Sequence, residues 1–207
     1  SEKRGLEFYQ DVLDFDARSD LLRPNGVWPM GSVEAAEMAK LAETTYRDVN
    51  IGLANQFALY AENNGIDVMR VIEACNSQPF SHIHNPGIAV GGHCIPVYPR
   101  LYLWNDPQAT VVDAARAANT AMPANMVTRL ESEMETLKDT TVAILGAAYR
   151  GEVKETAFSG VFATAETLRT RGASVRVHDP LFSDAELSAM GFTPHHRGDG
   201  ADALIVQ

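Results

Sequence analysis

The chain has 207 residues, 45% of them apolar and 21% charged, which is material for one or two domains around a sizeable core and excludes intrinsic disorder. With 17 basic residues against 27 acidic ones the net charge is −10, a balance that disfavours nucleic acid or an anionic membrane as partner. No apolar run reaches the ~18 residues of a membrane span, no signal peptide is expected at the start, and two cysteines, Cys75 and Cys94, speak against a disulfide framework and suit a reducing cytoplasm.

Residues 1–32 read as polar and irregular, apart from a short helix over Leu6 to Phe15. Pro24-Asn25-Gly26 and Pro29-Met30-Gly31 punctuate loops. Ser32 is a good N-cap, with Glu34 in the first turn of the helix it opens. From Val33 to about Asn64 nothing breaks that helix except Gly52, tolerated at a cost of ~1 kcal/mol, and Gly65 stops it. Its apolar face is Ala35, Met38, Ala42, Tyr46, Val49, Leu53 and Phe57. The opposite stripe carries Glu37, Lys40, Thr44 and Arg47, side by side at spacings of three and four. That stripe is either the wet face of an amphipathic helix or a row offered to a cleft. Asp67 caps a second helix that runs through Asn76, with Cys75 expected in the core. Residues 77–100 form a long Pro/Gly/His-rich loop, of a length that is usually functional. Val111 to Leu137 reads as another long helix, with Pro123 as a candidate kink.

The pattern changes from Thr140 onward. Thr141 to Leu145 is an apolar strand ending at Gly146. A helix follows over Ala157 to Arg171, closed by Gly172, and then a strand over Ser174 to His178. A short helix over Phe182 to Met190 leads to a third strand over Ala203 to Val206. Strand, helix, strand, helix, strand is a parallel α/β half-sheet with right-handed crossovers. Three parallel strands are few for such a sheet, and the start shows no leading strand. The expectation is a fragment of a larger protein with both ends missing.

Chemistry concentrates in Val90-Gly91-Gly92-His93-Cys94-Ile95-Pro96. Two glycines allow close approach of backbone or ligand, and a neighbouring His can orient or activate a thiol. The run describes a cysteine presented to a substrate, or else a buried structural one; spacing leaves both open. His82, His84, His93 and Cys94 do not match the spacing of a structural zinc site, and no metal is expected. The first strand–helix turn, Gly146-Ala147-Ala148-Tyr149-Arg150-Gly151, lacks the second glycine of G-x-G-x-x-G, and Asp179 lies too far along for the dinucleotide fingerprint. Arg150 is either a phosphate-holding cation or a solvated loop charge.

Three separated stretches resemble one family. Glu34 to Glu43 with Tyr46-Arg47-Asp48-Val49-Asn50-Ile51 resembles the start of the central helical domain of the UDP-glucose/GDP-mannose dehydrogenases. His84-Asn85-Pro86-Gly87 through Gly91-Gly92-His93-Cys94-Ile95-Pro96 is similar to the loop bearing that family's catalytic cysteine, with a lean toward the branch acting on UDP-N-acetylmannosamine. Leu145 to Arg150, followed by Val177-His178-Asp179-Pro180, is similar to its C-terminal Rossmann-like domain. The implied fold class is α/β: an all-helical central dimerisation domain over residues 33–138, then a truncated Rossmann-like parallel α/β domain over 139–207 that grips the nucleotide sugar. Residues 1–32 are the linker or remnant of a preceding domain, which holds NAD and is absent from this chain. The implied partners are a UDP-sugar and a second copy, joined in a homodimer through the long central helix.

The resemblance also implies a mechanism. The C6 alcohol of the sugar is oxidised to an aldehyde, the Cys94 thiolate adds to it, a second hydride transfer gives a thioester, and water releases the uronic acid. Lys40 stabilises the oxyanion, Thr44 stands where the family commonly has Asn, and Arg47, His84, Gly91 and Arg150 meet the substrate. Tyr98 replaces an Asp implicated in water activation, and a phenol with pKa near ~10 is a poor base at neutral pH. The segment Lys154 to Ser159 also lacks an Arg usual in the family. An alternative reading therefore stands beside the enzyme: a catalytically silent homologue that binds sugar nucleotides or dimerises.

Overall fold

The computed structural model describes residues 2–13 and 27–207. The chain divides into two compact units, at residues 1–42 and 43–207. In the first, α1 (Glu2–Val12) starts earlier than the periodicity predicts; Phe15 and Pro24-Asn25-Gly26 lie outside the described residues. Helix α2 (Val33–Asn63) begins where Ser32 predicts, with the Ser32 hydroxyl accepting the Ala35 N–H at 3.1 Å.

The second unit opens on the rest of α2. Gly65, at φ +64°, turns the chain out of the helix while Ile66 N–H returns to the Ala61 carbonyl at 2.8 Å. Asp67 then caps α3 (Val68–Asn76) by accepting from Met69 N and Arg70 N at 3.0 and 3.3 Å. The long loop ends sooner than expected, because the Cys94 carbonyl accepts the N–H groups of Val97 and Tyr98 and winds the chain into α4 (Tyr98–Asn105). Pro99 fits there, since a first-turn N–H has no intrahelical partner to lose. Helix α5 (Thr110–Met134) follows, with Pro123 inside it.

The α/β part contains β1 (Thr141–Leu145), α6 (Gly160–Thr170), β2 (Ser174–His178), α7 (Asp184–Ala189), β3 (Thr193–Pro194) and β4 (Ala203–Val206). All pairings are parallel, in the order β3-β2-β1-β4, with Val142 opposite Val175 on one side and Ala203 on the other. The sheet has four strands rather than three: β3 is two residues long, and its proline suits a strand that lies at an edge. Helix α6 starts at Gly160 rather than Ala157, because the Ser159 side chain caps it. Val127 of α5 shares one core with Val142, Ile144, Val161, Leu168 and Val177. Among the described residues no helix is long and apolar enough to cross a membrane.

Helix α2 departs most from expectation. Within the second unit its packed side is Thr45, Asp48, Gly52 and Asn55, whereas Tyr46, Leu53 and Phe57 of the apolar stripe are exposed. Gly52 explains the choice. A Cβ there would stand 3.1 Å from the Ala115 carbonyl oxygen and 3.2 Å from its Cα, so α5 packs against the glycine face, where side chains are smallest.

Candidate active site

The loop at residues 77–97 is tied down by side chains of neighbouring helices. Asn76 brackets Ile83, donating to its carbonyl at 2.9 Å and accepting its N–H at 2.8 Å. Asn50 of α2 does the same around His84, donating to His82 O and accepting His84 N–H at 3.0 Å. Further along, Asn55 accepts the Gly87 N–H at 2.9 Å. At the far end Gly92, at φ +92°, donates its N–H to the Ala157 carbonyl at 2.8 Å. Gly91 is packed so tightly that an added Cβ would meet Tyr149 Cβ at 2.5 Å. His93 Nε2 lies 3.4 Å from Glu155 Oε2. Cys94 follows as a half-buried free thiol.

The structure thus brings Gly91 and Gly92 of the loop against Tyr149 and His93 against Glu155, and ties the His84 backbone to Asn50 of α2, one turn beyond Arg47. Arg47 pairs with Glu43, Nε to Oε1 at 2.6 Å, and Thr44 is fully buried. Lys40 is exposed on the stretch of α2 that belongs to the first unit. Arg150 is exposed at the rim of a cavity of 370 Å³, lined also by Gly146, His178, Asp179 and Gln207. Among the described residues no three His, Cys, Asp or Glu gather as a metal ion would require.

That cavity lies at the carboxyl ends of β1 and β4, the point of a doubly wound sheet at which dinucleotides usually sit. Here Asp179 fills the customary seat. Its Oδ2 accepts Ala147 N–H at 2.7 Å and Ala148 N–H at 2.9 Å, and its Oδ1 accepts Leu181 N–H at 2.8 Å. Burial pushes this carboxyl up, but the three N–H donors outweigh it and hold the group below its ordinary range. A pyrophosphate would have to displace an ionised carboxylate from the turn amides. The turn after β1 therefore does not fit the pyrophosphate of NAD.

A buried polar set underlies the loop and escaped sequence reasoning. Asp48 Oδ2 pairs with Arg116 Nε at 2.7 Å, and Asn119 Nδ2 donates to Asp48 Oδ1 and to Asp48 O at 2.7 and 2.9 Å. Asn55 Nδ2 donates to Asn119 Oδ1 at 2.9 Å. Burial pushes the Asp48 carboxyl up, against the pull of Arg116 and Asn119. The available signal was Asp48, Gly52 and Asn55 at helical spacing, a polar stripe interrupted by a glycine.

Comparison with known proteins finds two matching family models. The central domain of the UDP-glucose/GDP-mannose dehydrogenase family matches residues 34–126, and the UDP binding domain of that family matches residues 143–207. The chain is 38% identical over 176 residues to the UDP-N-acetyl-D-mannosamine dehydrogenase of Pyrococcus horikoshii, covering 83% of this chain and 41% of that protein. It is 40% identical over 173 residues to the protein of that name from Methanococcus maripaludis, covering 83% and 40%. A solved structure of UDP-D-ManNAc dehydrogenase from P. horikoshii superposes with a TM-score of 0.72 at 36% identity, over 83% of this chain and 41% of that one. The UDP-glucose dehydrogenase of Pyrobaculum islandicum gives a TM-score of 0.81 at 25% identity, over 99% and 48%. The chain spans about two fifths of the length of the curated relatives it matches.

Proposed function

Because the chain belongs to the UDP-glucose/GDP-mannose dehydrogenase family, we propose that it forms the thiol-bearing and sugar-nucleotide-gripping part of a cytoplasmic dehydrogenase. That enzyme oxidises the C6 alcohol of a UDP-hexose to the uronic acid. The observation that carries the reading is the Cys94 loop: a free, half-buried thiol held at Gly92 and His93 against the turn of the UDP binding domain. NAD is the oxidant proposed for the whole protein, seated mainly by residues outside this sequence; this chain is then inactive alone. Residues 33–138 are proposed as the central domain, 139–207 as the nucleotide-sugar domain and 1–32 as the connection to what precedes them.

The chain's own residues have stated parts. Cys94 Sγ, as thiolate, attacks the C6 aldehyde and forms a carbon–sulfur bond, and the resulting oxyanion takes a proton to give a thiohemiacetal. Once that carbon is oxidised to the acyl level, water attacks it, the carbon–sulfur bond breaks and the thiolate leaves. Lys40 is assigned to the oxyanion, with Thr44 beside it in the catalytic set. Arg47, His84, Gly91 and Arg150 are assigned to the substrate. The exposed Tyr46, Leu53, Phe57 and Tyr60 of α2 favour a homodimer through that helix, because unpartnered apolar stripes mark association surfaces.

The test uses the full-length protein with UDP-sugars. Two NAD are expected to be reduced per uronate formed, and Cys94→Ala is expected to abolish uronate. Uronate formation at the parent rate by Cys94→Ala would overturn the assignment. UDP-sugar binding without any turnover would favour the silent homologue, the reading that Tyr98 in place of Asp keeps alive.

A further inference from the structure

We propose that Asn55 is a positioning residue for the Cys94 loop, oriented by Asn119 and the buried Asp48–Arg116 pair; the proposal rests on Cys94 being the reacting thiol. The four side chains are almost fully removed from water, at 1% exposure for Asn55, 2% for Asn119, 0% for Asp48 and 9% for Arg116. Buried ionic and amide groups are weak evidence for stability, since well-packed apolar residues serve as well or better. What an apolar replacement lacks is polarity with a direction.

That direction can be followed atom by atom. The Asn119 amide nitrogen reaches both the Asp48 carboxylate and the Asp48 carbonyl. This leaves Asn119 Oδ1 facing Asn55, whose nitrogen donates to it. The Asn55 oxygen is thereby turned outward, where it accepts the Gly87 N–H. Reversing either amide would set donor against donor. Nothing else crowds Gly87: an added Cβ would meet only Ala89 O, at 3.9 Å. Residues 87–92 carry a backbone N–H bond at each end, one to Asn55 and one to Ala157, and between them Ala89 packs on Gly160 and Gly91 on Tyr149, so the segment is held as one unit whose entry Asn55 fixes. Cys94 sits two residues beyond the second bond. The sequence supplies the pieces far apart, on α2 and α5, and the close approach at Gly52 joins them.

The test compares the two thiols of the chain. Cys75 lies on α3, outside this set, and serves as the internal reference. In Asn55→Ala the rate of Cys94 alkylation by iodoacetamide, divided by that of Cys75, is expected to rise about fivefold, the population change that loss of one hydrogen bond brings. An unchanged ratio, or equal acceleration of both thiols, overturns the proposal. Should Asn55→Ala fail to fold, hydrogen exchange on the unaltered chain decides: the Gly87 N–H is expected to be protected, and exchange as fast as in an open peptide refutes it. In an active full-length dehydrogenase Asn55→Ala is expected to lower kcat, with KM for the UDP-sugar within about twofold, because the ground-state contacts remain. A fall confined to KM counts against it. Absence of all dehydrogenase activity in the parent would remove the functional reading while leaving the thiol ratio to judge the positioning.

Discussion

Removing the Asp179 carboxylate is the most direct probe of how the α/β part is held together. The group is 5% exposed and accepts three backbone N–H bonds at 2.7, 2.9 and 2.8 Å, tying the turn after β1 to the turn after β2. Hydrogen bonds to a charged group contribute about 1.5–3 kcal/mol each when measured singly, and stranded amides at a cavity rim recover part of the loss from water. Asp179→Ala is therefore expected to lose about 3–4 kcal/mol of unfolding free energy, and Asp179→Asn, which keeps one acceptor oxygen, roughly half of that. The pH dependence follows from the direction of the shift. The folded group titrates below its ordinary 3.8, so its stabilisation is fully present above the unfolded value and is lost as pH falls through the folded one. Urea unfolding at neutral pH and below pH 3.8 reads both effects. The gap between parent and Asp179→Ala should be widest at neutral pH and narrow on acidification. A variant within about 0.5 kcal/mol of the parent, the range of a surface change, or a gap that widens in acid, would refute the reasoning.

Gly91→Ala is expected to lose about 1–3 kcal/mol by overpacking, since the new methyl would lie 2.5 Å from Tyr149 Cβ and 3.2 Å from Phe158 O. Gly151→Ala, with nothing within 4 Å, is the neutral control in the same urea series. For the homodimer, sedimentation is expected to return the mass of two copies for the parent and of one copy for Leu53→Glu with Phe57→Glu, helix content being unchanged. A parent that sediments as one copy at micromolar concentration would remove the dimer from the proposal.

Local chemistry made much of the fold legible. Ser32 and Asp67 cap the helices they were expected to cap, Gly65 stops α2, and β1, β2 and β4 fall on their apolar runs. Each signal is written within a few residues. What stayed hidden depends on partners far along the chain. The packed side of α2 could not be read from its apolar stripe, because Asp48 and Asn55 are acceptable inside only once Arg116 and Asn119 arrive from α5. The third β-strand in chain order was hidden for another reason: two residues, one of them proline, carry no periodicity.

The glycines show where legibility stops at the candidate site. Each announces that something approaches closely, and none says what. Next to the thiol the run Gly91-Gly92 was readable as room for a ligand; at Gly91 the approaching group is Tyr149. At Gly146 it is the Gln207 carbonyl, 2.8 Å from where a Cβ would stand, and at Gly52 it is the backbone of α5. All three glycines serve contacts between chain segments, and two of them lie at the borders of the loop and cavity on which the functional reading rests. A glycine motif beside a nucleophile therefore constrains how the nucleophile is held before it says anything about what the nucleophile meets. The polar brackets at Asn50, Asn55 and Asn76 act on earlier residues of the same loop, His84, Gly87 and Ile83, through bonds that no spacing rule encodes.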